Sequence, residues 1–337
     1  MIQSRTSIVI GTYNGEHYIE RLLTSLAQQT RRPFEVIIAD DGSRDRTLAI
    51  AHAFAKSAPF PVHVRLNPQN LGFGENFLQA SLRAKGDFIA FCDQDDVWRA
   101  DKIERCETEF DADPAVVLTA HAARLIDDKD AVIGHFRQGI GKSRTRPPLS
   151  YSPWGVFFGF SMTFRRVLLE IVAPDLRVSD YITGHPRLAH DRWILLLANL
   201  VGSTREIAEP LVDYRQHGAN VFGAAKPKSG NGSRSRTRQE SDRYVLATEQ
   251  QEALLDQIAH HPATASLQYD QRLAADFLNR ALDQQRARNA LYATYGLRAW
   301  LHWLRNIANG TYRTIHKRRF RPQAALKDLQ YLISRTS

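Results

Sequence analysis

The first hundred residues alternate between short apolar runs and segments with helical periodicity. Strands are predicted for four β-branched or apolar runs: 7–10, 36–39, 62–64 and 88–92. Helical spacing of apolar residues follows these runs, as between residues 19 and 26. Strands that alternate with helices in this way predict an α/β fold with a doubly wound, mostly parallel sheet.

The rest of the chain predicts a completed first domain, a linker and a helical region. An apolar segment at 154–164, a helix at 188–200 and an extended piece at 207–214 complete a domain that we place at 1–223. Residues 224–243 are rich in Lys, Arg, Ser and Gly and predict a mobile basic linker. Residues 244–337 form a helical C-terminal region, with helices expected near 240–260, 268–293, 296–308 and 322–334.

The composition is that of a folded, soluble protein. Of the 337 residues, 43% are hydrophobic and 24% are charged, which disfavours a disordered or fibrous chain. The two cysteines, Cys92 and Cys106, are too few for a disulfide framework and favour a reducing compartment. The longest apolar stretch, 193–201, is too short to span a bilayer, and the first ten residues lack a signal-peptide pattern. We therefore expect a cytoplasmic location.

The positive charge is concentrated at the C-terminal end. The net charge is +9, and residues 296–337 hold nine Lys and Arg against one Asp. Aromatic residues such as Trp300, Trp303 and Tyr312 lie among them. This combination favours peripheral attachment to an anionic membrane surface, while packing on the first domain and pairing of two chains are the alternatives. Nucleic acid is disfavoured because no nucleic-acid-binding motif accompanies the charge.

Three carboxylates follow the fourth predicted strand within four residues: Asp93, Asp95 and Asp96. Like charges at this distance repel, and a divalent cation that prefers oxygen ligands relieves the repulsion. The alternative is an acidic turn that caps the next helix.

Four motifs, in order and at strand ends, resemble those of family 2 glycosyltransferases. They are the runs at 9–14 (Val-Ile-Gly-Thr-Tyr-Asn), 35–43, 70–72, and 93–98 (Asp-Gln-Asp-Asp-Val-Trp) with Asp101-Lys102. The resemblance covers about residues 5–220. The run at 93–98 and the later Tyr-Arg-Gln-His at 214–217 are similar to rhamnosyltransferase-like members of surface-polysaccharide pathways.

The resemblance implies the fold called GT-A and roles for the acidic run. By position in the motif, Asp93 would face the ribose of a nucleotide-sugar. Asp95 would ligate the Mg²⁺ or Mn²⁺ that bridges the diphosphate, and Asp96 would support it. A divalent ion suits this chemistry because the departing diphosphate gains negative charge.

The loops after the first two strands are implied to bind the donor nucleotide. Asp41 matches the position that bonds the base, and Tyr13 would lie beneath the base or ribose, with Thr12 and Asn14 beside it. A polar turn with a helix cap is the alternative at residues 40–43, and a core position is the alternative for Tyr13. Gly11 stands where Pro or Thr is common in the family.

The resemblance also implies a catalytic base at the start of a helix after the sheet. Asp191 matches that position, where it would take the proton of the acceptor hydroxyl. His190 stands where the family commonly has Glu, so its role is open. The alternatives for Asp191 are a helix N-terminal carboxylate and a partner of Arg192.

Two residues after the last predicted strand complete the candidate site. His217 resembles a histidine that reaches the metal or the diphosphate in relatives, and a surface histidine without function is the alternative. The Arg215 guanidinium could engage the diphosphate in bidentate fashion, or form a structural salt bridge.

These observations lead to one expected activity. We expect an inverting, metal-dependent glycosyltransferase that moves one sugar, with rhamnose a candidate, from a dTDP- or UDP-linked donor. The acceptor would be a hydroxyl of a lipid-linked or growing surface glycan at the inner face of the cytoplasmic membrane. Polymer-extruding relatives carry Gln-x-x-Arg-Trp, which is absent. A nucleotidyltransferase is disfavoured because no Gly-rich phosphate loop follows the first strand. The alternative is a catalytically inactive sugar-nucleotide- or membrane-binding module.

Overall fold

The computed structural model describes residues 4–217, 234–316 and 318–336, with only the backbone of 234–238 and 334–336. The strands are β1 (Thr6–Thr12), β2 (Glu35–Asp40), β3 (Val62–Leu66), β4 (Phe88–Asp93), β5 (Val97–Trp98), β6 (Val116–Ile126), β7 (Val132–Phe136), β8 (Arg144–Arg146), β9 (Met162–Arg165) and β10 (Ser203–Arg215). The helices are α1 (Ile19–Ala27), α2 (Thr47–Ser57), α3 (Phe73–Ser81), α4 (Lys102–Ala112), α5 (His190–Val201), α6 (Arg234–His260), α7 (Gln271–Ala293), α8 (Gly296–Ala308) and α9 (Pro322–Thr336).

The strands form one sheet in the order β3-β2-β1-β4-β9-β6-β10-β5, with β7 paired to β6 and β8 to β10. The first four strands of this order are parallel. Strand β9 runs antiparallel between β4 and β6, so the second half of the sheet is mixed. The predicted α/β fold with its doubly wound sheet is confirmed.

Both faces of the sheet are covered, which explains why nearly every position of β1, β2 and β4 is buried and why consecutive residues in their centres are apolar. On β1, Ile8 and Ile10 pack into a cluster that includes α1 and Ala51 of α2. Val9, between them, points to the opposite face and joins a cluster that includes α3 and α5. The alternation of side chains along a strand therefore divides one apolar run between two cores.

The predicted C-terminal helices are present as α6 to α9, and α6 begins earlier than expected. Residues 234–243 of the predicted linker are helical, while 224–233 lie outside the described residues. Helix α6 buries Ala247, Leu254 and Ile258 in the same core as α5. It is further held by a 3.1 Å hydrogen bond from Trp154 Nε1 to Thr248 Oγ1. Residues 234–243 therefore belong to a helix whose later turns are packed in the core, although their composition alone predicts mobility.

One buried carboxylate joins α7, α9 and the turn between α8 and α9. Asp328 has no exposed surface and accepts hydrogen bonds from Arg288 Nη2 at 2.6 Å and from Tyr312 Oη at 2.9 Å. Arg288 Nε also donates to Asp328, so the ion pair is bidentate. In the described part of the chain, none of the helices has the length and hydropathy needed to cross a membrane.

The buried pair predicts a large loss of stability in Asp328→Ala. The change leaves the Arg288 guanidinium, whose side chain is 21% exposed, without its counter-charge, which costs up to about 3–5 kcal/mol in the free energy of unfolding. Urea unfolding measures this loss. The exposed Asp276→Ala on α7 is the control and should stay within about 0.5 kcal/mol of the parent. A loss below about 1 kcal/mol in Asp328→Ala would contradict this account of the pair.

Candidate active site

The ends of β1, β2 and β4 place the predicted motifs at one edge of the sheet. Gly11 lies beside Ala39 of β2 and Asp93 of β4, and Thr12 lies beside Asp40. A side chain at Gly11 would meet the Phe77 ring, since an added Cβ would lie 3.0 Å from Phe77 Cε2. The close packing of α3 on β1 therefore accounts for the glycine.

The acidic run leaves the sheet with its carboxylates in different surroundings. Asp96 is completely buried; its Oδ1 accepts a 3.2 Å hydrogen bond from the Arg215 backbone, and its Oδ2 has no hydrogen-bond partner. Burial and the charges of Asp95 and Asp93 raise the pKa of Asp96 well above its usual range. Asp96 is therefore protonated more readily than an exposed aspartate, and a proton there reduces the repulsion within the run.

Asp93 and Asp191 lie close enough to repel each other. Desolvation, then the negative charges of Asp95 and Asp191, raise the pKa of Asp93 to about 7. Asp191 stands in the first turn of α5, where its Oδ1 accepts a 2.7 Å hydrogen bond from the Arg192 backbone. The fold thus brings Asp191, the predicted base, near Asp93, the predicted ribose ligand. Asp191 is also a carboxylate at the N-terminus of a helix, as the alternative interpretation expects.

Asp95 and His217 meet although 122 residues separate them. Asp95 Oδ2 lies 2.8 Å from His217 Nε2, and the hydrogen bond raises the pKa of His217. The His217 ring stacks on Tyr18 with centroids 4.8 Å apart. The described residues contain no group of three or more His, Cys, Asp or Glu side chains that could hold a metal ion.

An oxygen and a nitrogen ligand nevertheless fit a divalent ion that is bound together with a diphosphate. Mg²⁺ sites commonly use one or two carboxylates and complete the octahedron with phosphate oxygens and water. Imidazole and carboxylate together also suit Mn²⁺. Asp95 and His217 are therefore a chemically competent pair for such an ion, with the remaining positions left to the donor.

The Arg215 guanidinium is engaged within the protein. It is 2% exposed and donates to the backbone carbonyls of Asp95 at 2.9 Å and Asp127 at 2.7 Å. It also forms an ion pair with Asp130. These contacts agree with the alternative interpretation of Arg215 as part of a structural salt bridge, and they hold the loop that carries Asp95. A contact between Arg215 and a diphosphate stays a prediction.

The candidate nucleotide-binding residues line the adjoining loops. Thr12 is buried and its hydroxyl donates to Asp40 Oδ2 at 2.9 Å. Asn14 Oδ1 accepts from the Arg44 backbone at 2.9 Å. Tyr13 is 50% exposed, so its ring is not part of the core.

Asp41 uses both carboxylate oxygens within the protein. The backbone N–H of Leu71 donates to Oδ1 at 2.7 Å, and that of Gly72 donates to Oδ2 at 2.8 Å. Asn67 Nδ2 also donates to Oδ1 at 3.0 Å. Asp41 therefore fastens the loop before α3, and its contact with a base stays a prediction.

His190 lies in an aromatic enclosure. Its ring stacks on Phe77 with centroids 4.4 Å apart and meets the Phe91 ring edge-on at 4.7 Å. Neither ring nitrogen has a hydrogen-bond partner, and burial lowers the pKa of His190. The His190 ring thus packs as a buried core side chain, one residue before Asp191.

Sequence reasoning gave no role to Gln94. Its Oε1 accepts from the Tyr13 backbone N–H at 2.9 Å, and its Nε2 donates to the Tyr13 carbonyl at 3.1 Å. The side chain therefore joins the acidic loop to the loop after β1. Its position between two aspartates is the only local sign of a role for Gln94. Its hydrogen-bond partner, Tyr13, lies 81 residues away and is not evident from the sequence.

Lys102 belongs to the Asp101-Lys102 pair after the acidic run, and the sequence predicts no role for it. It is 1% exposed, and its ammonium donates to the Phe160 carbonyl at 2.7 Å and lies 3.5 Å from the Trp98 ring centroid. Burial lowers the pKa of Lys102 to about 8. Its positive charge acts on Asp93 and Asp96. Lys102 is thus a buried counter-charge beneath the acidic run.

Comparison with known proteins extends these observations. Residues 7–172 match the family described as "Glycosyl transferase family 2". An uncharacterized glycosyltransferase of Nostoc is 29% identical over 64% of this chain and 66% of its own length. A dTDP-rhamnosyl transferase of Shigella flexneri is 36% identical over 28% of this chain and 34% of its own length. The chain spans less than two thirds of the length of these curated relatives.

The fold has solved counterparts. Residues 1–349 of S. aureus TarS superpose with a TM-score of 0.54 at 19% identity, over 93% of this chain and 90% of that structure. The same protein has been solved in complex with UDP-GlcNAc, and that structure also superposes with a TM-score of 0.54. The strand order and the motifs at the sheet edge agree with this match: residues 7–172 are similar to family 2 glycosyltransferases, and the sheet has the GT-A fold.

Proposed function

We propose that the protein is an inverting, metal-dependent glycosyltransferase that transfers one sugar from a nucleoside diphosphate to a glycan hydroxyl. The observation that carries this proposal is the convergence of Asp93, Asp95, His217 and Asp191 at one sheet edge. Asp95 and His217 would hold Mn²⁺ or Mg²⁺, which when bound stabilises negative charge on the diphosphate. Asp93 would bind the ribose.

Asp191 would act as the base. Its carboxylate is in the first turn of α5, and its negative charge helps to raise the pKa of Asp93, the proposed ribose ligand. An acceptor hydroxyl held between the sugar and this carboxylate would lose its proton to Asp191 as its oxygen attacks the anomeric carbon. Attack opposite to the leaving diphosphate inverts the anomeric configuration. No covalent intermediate with the protein is needed.

The donor proposed is a dTDP- or UDP-sugar. Tyr13, exposed beside Asp41, would lie against the base, with Thr12 and Asn14 shaping the loop. A dTDP-rhamnosyl transferase among the relatives supports rhamnose as the sugar, and TarS, which shares the fold, binds UDP-GlcNAc. The acceptor proposed is a lipid-linked or growing surface glycan.

Thermal unfolding with UDP, dTDP, GDP and CMP, each with and without Mn²⁺, tests the donor site. We expect UDP or dTDP with Mn²⁺ to raise the Tm, because a ligand at 100 times its Kd stabilises the folded state by about 2.7 kcal/mol. Asp95→Asn should abolish the Mn²⁺-dependent part of the rise. Asp101→Asn, which changes a surface partner of Arg99, is the control and should keep it. A full rise in Asp95→Asn would remove Asp95 from the metal site.

Asp191→Asn separates catalysis from donor binding. Loss of the base should lower transfer of labelled sugar from the donor to a lipid-linked glycan extract by about 10²–10⁴-fold. The nucleotide-induced rise in Tm should persist. Asp175→Asn, at an exposed position before α5, is the matched control. Transfer at the parent rate in Asp191→Asn would show that another group takes the proton.

We further propose that α8 attaches the protein to an anionic membrane surface at the cytoplasmic side. Leu297, Leu301 and Leu304 are 75%, 56% and 55% exposed and lie at i, i+4 and i+7, on one face of the helix. Arg298 and Arg305 are exposed on the same helix. Exposed leucines beside basic residues suit the boundary between acyl chains and anionic headgroups. The charge on this helix favours a membrane over a second copy of the chain.

Co-sedimentation with vesicles tests this attachment. Vesicles that contain phosphatidylglycerol should bind the protein, more weakly as salt is added, and pure phosphatidylcholine should bind it less. Leu301→Ser with Leu304→Ser should reduce binding at least about fivefold. Leu246→Ser with Leu273→Ser, at leucines 55% and 56% exposed on α6 and α7, is the control. If Leu301→Ser with Leu304→Ser binds vesicles as well as the parent does, the α8 face does not attach the protein to membranes. If this variant instead loses dimers, the face pairs two copies of the chain.

A further inference from the structure

A cavity of about 470 Å³ lies between the sheet domain (residues 4–217) and the C-terminal helices α6, α7 and α9. Its wall includes Trp154 and Tyr181 from the sheet domain, Tyr244 from α6, and Arg321 and Lys327 from the end of the chain. None of the candidate donor-site residues lines it. Ligand pockets of about 300–1,000 Å³ occur preferentially at such domain interfaces. The cavity is therefore a second site to which no role has been given.

Three aromatic rings form one side of the cavity. The Trp154 and Tyr181 rings meet edge to face with centroids 4.7 Å apart, and Tyr181 meets Tyr244 at 4.9 Å. The hydrogen bond from Trp154 to Thr248 fixes the indole. Aromatic rings with polar tips offer an apolar face to the C–H groups of a sugar ring and hydrogen bonds to its hydroxyls.

Two cations, Arg321 and Lys327, also line the cavity. The described residues place no carboxylate within ion-pair distance of Arg321 or Lys327, both of which are exposed. They outnumber Glu240, the carboxylate that also lines the cavity. A third cation, Arg288, is neutralised by Asp328. An excess of positive charge in a cavity that also has aromatic walls favours an anionic ligand.

Arg321 acts on the aromatic wall itself. Burial raises the pKa of Tyr181 and of Tyr244, and the positive charge of Arg321 opposes that rise in both. The guanidinium and the rings therefore border the same space, so one ligand can contact both.

The loop that supplies Tyr181 also leads to the candidate base. Asp180 lies 3.7 Å from Arg192, the neighbour of Asp191 on α5. On the other side of the loop, Ser179 bonds to Gln250 of α6 at 2.9 Å. The segment 179–181 thus lines the cavity through Tyr181 and contacts both α5 and α6.

We propose that this cavity is an acceptor subsite that binds a glycan bearing a negative charge, either a phosphate or a uronic carboxylate. The aromatic wall would pack against a sugar ring, while Arg321 and Lys327 bind the anion. This inference rests on the proposed function, in which Asp191 deprotonates the acceptor.

Saturation-transfer NMR with three soluble probes tests the subsite: glucose 1-phosphate, glucuronic acid and methyl α-glucoside. The parent should bind the charged probes more tightly than the uncharged glucoside, and the tighter anion identifies the source of the charge. Arg321→Gln with Lys327→Gln should weaken binding of the charged probes at least about tenfold. Arg83→Gln with Arg272→Gln removes the same charge from exposed positions outside the cavity and should bind as the parent does.

Two further measurements keep this proposal separate from the donor site. Asp95→Asn should leave probe binding unchanged, and Arg321→Gln with Lys327→Gln should keep the nucleotide-induced rise in Tm. Loss of probe binding in Asp95→Asn alone would place the probes at the donor site and overturn the subsite. Parent-like affinity in Arg321→Gln with Lys327→Gln, equal affinity for methyl α-glucoside, or no binding by the parent would overturn it as well.

Discussion

Three carboxylates at the end of a buried strand are the constraint on which the rest of the site depends. Asp93, Asp95 and Asp96 leave β4 within four residues, where low solvent access strengthens their repulsion. Lys102 supplies a buried positive charge, and the last strand of the sheet brings back Arg215. Strand β10 therefore contributes to the electrostatics of the site, because it ends at Arg215, whose guanidinium contacts the acidic loop.

Different polar groups near the sheet edge serve different purposes. Asp41, Gln94 and Arg215 have their hydrogen-bonding atoms engaged with neighbouring loops, so they hold the walls of the site in place. Asp95 and His217 have each other as partners, a contact that a divalent ion with oxygen and nitrogen ligands can replace. A site that binds a charged donor needs both kinds of residue, because loose walls lose the geometry that catalysis requires.

The C-terminal helices are continuous with the core of the sheet domain. Helix α6 shares buried residues with α5, while α8 turns three leucines outward. Between them, the junction of helices and sheet leaves a cavity with aromatic and basic walls. One helical region thus combines a structural contact, an outward apolar face and a cavity at its junction with the sheet.

Much of this arrangement follows from local pattern. Hydrophobic periodicity predicted the strands of the first half, and the parallel order followed because alternating strands and helices wind in one direction. Since parallel strands end at one edge, the motifs after β1, β2 and β4 converge there, as the register shows. The start of α6 was misjudged because a polar composition does not reveal the packing of the residues that follow it.

The sequence by itself determined the first four strands with the helices between them, the order of the motifs and the crowding of carboxylates, because each depends on residues close together along the chain. Tertiary structure decided which partner each polar side chain takes. His190 entered an aromatic enclosure, and Asp95 met a histidine 122 residues away. The cavity between sheet and helices likewise exists only once distant segments pack. Such contacts have no period or spacing in the chain, since they are set by the burial of apolar surface and the pairing of buried charge across the whole fold.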